Sequence, residues 1–179
     1  MKGDLRVRAG HLLARYRFRK RKDSLISFSE TLSAAQSVMV VLPLAENEPA
    51  QYQSVTKLLV RRFKGQHITV IATDHAVDVM RLLPRSTIVH FRHDELNRVY
   101  LPRPDLQERF DRRRPDITID LNLDFLLPSA YICKATGASI RIGFSRRFAD
   151  DYYNFIIRPD RTLARKMNYD RLAEFLQKF

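Results

Sequence analysis

Cysteine occurs once in this 179-residue chain, at Cys133, and tryptophan not at all. A single cysteine excludes an internal disulfide and any multi-cysteine zinc site, which permits a reducing compartment; the missing tryptophan excludes nothing. Glycine is scarce, and neither a GxGxxG nor a GxxxxGK[ST] pattern occurs, so nucleotide binding through a glycine-rich phosphate loop has no support, and no cofactor is expected. No uninterrupted apolar run reaches membrane-spanning length. The basic N-terminus lacks the apolar stretch and small-residue cleavage site of a secretory signal. The expected location is the cytoplasm or, peripherally, the inner face of the plasma membrane.

Acidic residues are short too: 20 against 32 Lys and Arg, for a formal charge of +12. Nine basic residues fall between Lys2 and Lys22 against the single acid Asp4, about two-thirds of the net charge. The rest of the chain is only mildly basic, so nucleic acid is not the expected partner. Leu5, Leu12, Leu13 and Tyr16 recur at roughly helical spacing and predict a helix over residues 5–21. Either this is a solvated arm whose apolar residues pack on the domain, or residues 1–22 meet an anionic membrane surface. Residues 1–36 thus read as a basic helical arm and connector, and 37–179 as one domain.

Within 37–179 the pattern alternates. Short, nearly continuous apolar runs at Ser37–Leu42, His67–Ala72, Thr87–Phe91, Ile117–Leu121 and Ile140–Phe144 suit strands buried on both faces. Helical segments over Gln51–Lys64, Asp74–Leu83, Asp105–Arg113 and Phe125–Ala135 separate them. An extended piece at Tyr152–Ile157 precedes a last helix over Leu163–Phe179. The fold class is α/β: a three-layer, doubly wound, Rossmann-like, mainly parallel sheet of five to six strands. In the usual order the first and fourth strands flank the switch point, so the loops Pro43–Glu48 and Asn122–Leu127 border the ligand crevice.

Asp116-Ile-Thr-Ile-Asp120-Leu121-Asn122, then Ala135-Thr-Gly137-Ala138 and Arg141-Ile142-Gly143-Phe144, resemble the N-terminal domain of the heptosyltransferases. These are bacterial glycosyltransferases of two Rossmann-like domains that add heptose to lipopolysaccharide core. The closing segment through Tyr152–Ile157 also resembles small uncharacterised single-domain bacterial proteins. The resemblance implies an acceptor-side half-domain in cell-envelope polysaccharide metabolism, binding an acceptor sugar or lipid. With no counterpart of the family's nucleotide-sugar domain in this sequence, it also implies an inactive unit or one that needs a donor-domain partner protein. The alternative is a non-enzymatic interaction module docked to an anionic surface by its arm.

The family carries a Gly-Asp pair after its first strand, the aspartate serving as proposed base. Here that loop reads Pro43-Leu-Ala-Glu46-Asn47-Glu48-Pro49, and Leu123 stands where the family has glycine after the fourth strand. Glu46 and Glu48 are the candidate catalytic carboxylates, with a plain solvated loop as the competing reading. Asn122, Asp124, Arg141 and Arg146 are candidate substrate-binding residues. Asp124 can equally cap the following helix, and Arg141, Arg146 and Arg147 are either anion ligands or merely exposed bases. Asp120, at a strand end, is either a ligand contact or a cap. His90 and His93 have metal-like spacing but no second cluster, so no metal site is expected. Cys133 reads as a small buried hydrophobe. Gly137 suits a helix end and Gly143 a turn at a strand end. Tyr152, Tyr153 and Phe155 read as packing residues, one ring lining the crevice.

Overall fold

The computed structural model describes residues 2–21, 23, 25–44, 48–73, 82–111 and 113–179. The predicted helix Asp74–Leu83 falls mainly on residues outside these. The elements are α1 (Lys2–Phe18), α2 (Phe28–Ala34), β1 (Val38–Val41), α3 (Gln53–Arg62), β2 (Ile68–Ala72), β3 (Thr87–His90), α4 (Pro104–Asp111), β4 (Ile117–Asp120), α5 (Leu127–Ala135), β5 (Ile140–Phe144), β6 (Phe155–Ile157) and α6 (Arg165–Gln177).

The six strands form one sheet in the order β3-β2-β1-β4-β5-β6, every pairing parallel. Val38 pairs with Ile68 on one side and Ile117 on the other, so β1 sits between β2 and β4 and the order reverses there. That is the predicted switch point. Alternation along the strands feeds two cores. Val38, Val40, Ile117, Ile119, Ile140 and Ile142 face α3 and α6. Met39, Val41, Ile71 and Val89 face the side of α1, α4 and α5. Because both faces are covered, the strands carry apolar residues at nearly every position, which is why their sequences read as runs.

The packing of α1 differs from expectation. Leu5, Leu12 and Tyr16 are 71%, 63% and 63% exposed, while Gly10, His11, Ala14 and Phe18 face inward. Small residues win the contact because the helix lies very close: a Cβ on Gly10 would stand 2.1 Å from the Val99 carbonyl oxygen and 2.6 Å from Leu127 Cδ2. Phe18 meets the Tyr131 ring at 5.0 Å, and Arg17 donates to the Tyr131 hydroxyl. The chain then crosses to the other face, where Phe28 of α2 stacks on Phe155 and touches Phe175 and Phe179.

Two glycine readings part company. Gly137 has φ of +72°, the left-handed conformation that ends α5. Gly143 is no turn: it lies within β5, and a Cβ there would come 2.6 Å from the Tyr153 ring, so a close approach requires it.

Candidate functional site: the crevice at the switch point

β1 and β4 end side by side, and a short polar network joins their exits. Asn122 donates from Nδ2 to the Leu42 carbonyl at 3.2 Å and to Asp120 Oδ1 at 2.7 Å, while its Oδ1 accepts from the Leu44 N–H at 2.9 Å. Asp120 also accepts from the Asn122 backbone N–H at 2.9 Å and from the Tyr153 hydroxyl at 2.5 Å. Burial pushes the Asp120 carboxyl upward, against the opposing hydrogen bonds from Tyr153 and Asn122. Both side chains are almost completely buried. Asp120 therefore closes an Asx-type turn, and Asn122 ties the two loop exits together.

Above this network lies an apolar crevice of about 480 Å³. Its walls come from Val7 of α1, Leu44 after β1, Thr73 after β2, Phe91 and Leu96 after β3, and Phe125 after β4. Thr73, His93 and Tyr100 supply the polar atoms among its side chains. A concave apolar site with a few polar groups, at the carboxyl ends of parallel strands, is where such a sheet binds ligands. It suits the apolar part of an amphiphile better than a bare sugar or phosphate.

The candidate residues are placed unequally. Glu46 lies outside the described residues. Glu48 is exposed, accepts from the Gln51 side chain and does not line the crevice. Asp124 does not cap α5, whose N-cap position is Leu126 with no side-chain cap; it stands exposed, 3.7 Å from Arg146 Nε. Arg146 Nη1 donates to the Ser145 carbonyl.

Arg141 is separated from that pair, toward the start of β5. Buried there, it donates to the Tyr152 carbonyl at 2.8 Å, the Ala138 carbonyl at 2.9 Å and Asp23 at 2.6 Å. Its fork binds the protein itself. Asp23 also faces Lys134 at 3.2 Å; burial pushes its carboxyl upward, but Arg141 and Lys134 outweigh that and hold it below the usual range.

His90 is exposed and His93 lies in the crevice wall. Among the described residues no three His, Cys, Asp or Glu side chains gather as a metal set. Cys133 is fully buried, and burial beside Asp120 pushes its thiol well up. The crevice takes its rings from Phe91, Tyr100 and Phe125, not from Tyr152, Tyr153 or Phe155. Tyr152 instead pairs with His11, Nδ1 to hydroxyl, at 3.1 Å, and His11 stacks on Phe148 at 3.9 Å. No sequence pattern announces these partners, which lie far apart along the chain.

Two solved structures share this fold. An E. coli ADP-heptose lipopolysaccharide heptosyltransferase II superposes with a TM-score of 0.58 at 19% identity, over 77% of this chain and 40% of the other. A glycosyl transferase of family 9 from Veillonella parvula gives 0.57 at 19% identity, over 80% of this chain and 42% of the other. The chain thus spans less than half the length of the glycosyltransferases it matches. No family model matches the sequence, and no curated protein does. Among the described residues no helix is long and apolar enough to cross a membrane.

Proposed function

We propose that this chain is the acceptor-side half of a heptosyltransferase-like glycosyltransferase of cell-envelope polysaccharide metabolism, and that turnover requires a donor domain. One observation carries the reading: an apolar crevice at the β1–β4 switch point, in a fold shared with two glycosyltransferases. Its lining favours a lipid-linked saccharide as acceptor. The apolar part enters between Phe91, Leu96 and Phe125, and the sugar meets Thr73, His93 and Tyr100 at the polar positions.

Binding of a lipid-linked saccharide, measured by calorimetry beside the same saccharide without its lipid, tests the acceptor assignment. The lipid-linked form should bind and the bare saccharide bind far more weakly. Phe125→Ala should lower affinity about tenfold, the loss of most of one buried aromatic contact. Equal affinity for both ligands, or no effect of Phe125→Ala, would sink it. Transfer from ADP-heptose, assayed with a donor-domain protein, tests the catalytic part.

A second reading has its own support. Among the described residues no carboxylate lines the crevice to serve as the base the resemblance implies, and His93 supplies an imidazole in its wall instead. On this reading the domain binds the amphiphile without transferring sugar. Acceptor binding with no transfer by any donor-domain protein would favour it.

A further inference from the structure

The apolar stripe on the outward side of α1 supports no core. At 100° per residue, Leu5, Ala9, Leu12 and Tyr16 fall on one line along the helix, opposite the inward-facing Ala14 and Phe18. Leu5, Leu12 and Tyr16 are well over half exposed, and Leu13 beside them is 38% exposed. Arg8, Arg15 and Arg19 flank one side of this stripe, and Arg6, Arg17 and Lys20 the other; all six are exposed. No acidic residue occurs from Leu5 to Arg21. The Arg19 guanidinium lies 3.6 Å from the Tyr16 ring centroid, joining the charged flank to the apolar stripe.

We infer that this face is a docking surface for an anionic lipid bilayer, with α1 lying in the headgroup plane. An apolar line bordered by cations on both sides is the pattern of an interfacial helix: the leucines enter the acyl boundary and the arginines meet phosphate headgroups. A nucleic acid would use the charges but leave Leu5 and Leu12 in water. A second copy of the chain would set two faces with an excess of basic residues against each other, even with Asp151 beside Arg15. Val7, on the inward side of the same helix, is part of the crevice wall. Docking brings that wall to within about one helix diameter, ~10 Å, of the headgroups. The inference concerns the surface alone, so vesicle binding and acceptor binding fail or succeed separately.

Co-sedimentation of the full chain with phosphatidylglycerol/phosphatidylcholine vesicles, beside pure phosphatidylcholine, tests it. Binding should be strong on the anionic vesicles, weak on the zwitterionic ones, and should fall with salt. Substituting Leu5→Ser, Leu12→Ser and Tyr16→Ser together should lower partitioning at least about tenfold with an unchanged melting curve, because these side chains support no core. Arg6→Gln, Arg19→Gln and Lys20→Gln should each cost about fivefold on anionic vesicles. Val60→Ser, an exposed apolar position on α3, should change nothing. The inference is overturned if the triple serine variant sediments like the parent chain. It is equally overturned if the parent ignores anionic vesicles while binding duplex DNA or self-associating through this face.

Discussion

The Tyr153 hydroxyl donates to Asp120 Oδ2 across 2.5 Å, and the same ring lies over Gly143 of the intervening strand. One tyrosine thereby closes the carboxyl end of β4 and fixes the spacing to β5. Removing the hydroxyl in Tyr153→Phe leaves a buried carboxyl short of a donor, so unfolding free energy should drop by about 1–3 kcal/mol. Urea denaturation measures it; no change would mean that the carboxyl finds another donor.

The same carboxyl gives a pH signature. Burial raises its folded-state pKa above the unfolded value. Its contribution is therefore fully present below the unfolded pKa and is lost as pH rises through the folded one. In Asp120→Asn that decline should disappear from the stability–pH profile above about pH 4. A profile parallel to that of the parent chain would show that Asp120 titrates normally.

Gly143→Ala places a methyl group 2.6 Å from the Tyr153 ring, closer than van der Waals contact allows. Overpacking of this kind should destabilise by about 1–3 kcal/mol. Coupled to Tyr153→Ala in a double-mutant cycle, most of that cost should vanish, because the clashing ring is gone. Additive effects in thermal melts would place the strain elsewhere.

Asp116 has the opposite pH sign. It accepts from the Gln36 N–H, the Ser37 N–H and the Ser37 hydroxyl at 2.8–2.9 Å, holding the start of β1 beside that of β4. Burial pushes its carboxyl upward, but those hydrogen bonds together outweigh it and leave the pKa lowered. Its contribution is present above the unfolded pKa and lost as pH falls through the folded one. Asp116→Ala should cost about 1–3 kcal/mol at neutral pH and flatten the profile below about pH 4. An unflattened acid limb would assign that loss to other carboxylates.

What was legible in the sequence follows from how each feature is encoded. β1, β2, β4 and β5 are buried on both faces, so their apolar runs announce parallel strands and, with them, the crevice at the ends of β1 and β4. Phe125 falls inside the predicted border loop. Phe91, Leu96 and Tyr100 surround an irregular stretch with a 3-10 turn at His93–Glu95, and no periodicity points from there to the crevice. The inward face of α1 is hidden for another reason: it is built on Gly10 and Ala14, whose value is closeness, while the conspicuous leucines face out. Arg141 and Arg146 lie five apart in sequence and look like one anion site. A strand runs between them, and Arg141 spends its donors on Tyr152, Ala138 and Asp23.

Among the described side chains of α1, His11 is the titratable one that faces inward, and its chemistry makes the seat of that helix acid-sensitive. It is nearly buried, paired with Tyr152 at 3.1 Å and stacked on Phe148, with Asp151 3.4 Å from Nε2. Burial pushes its pKa down; Asp151 opposes this, and Arg15 and Arg147 add to it. A histidine lowered in the folded state is protonated first in the unfolded chain. Its contribution is thus present above the unfolded value, near 6.5, and is lost as pH falls through the folded one. The loss should fall first on α1, so the protection factors of the Ala14 and Phe18 amides, exchange rates normalised to the intrinsic rate at each pH, should drop below about pH 6 before those of β1 and β4. His11→Gln removes the proton site and should hold those protection factors level across the same range. Equal loss of protection in the variant would show that acid acts on α1 through some other group, with Asp151, facing both His11 and Arg15, the first to test.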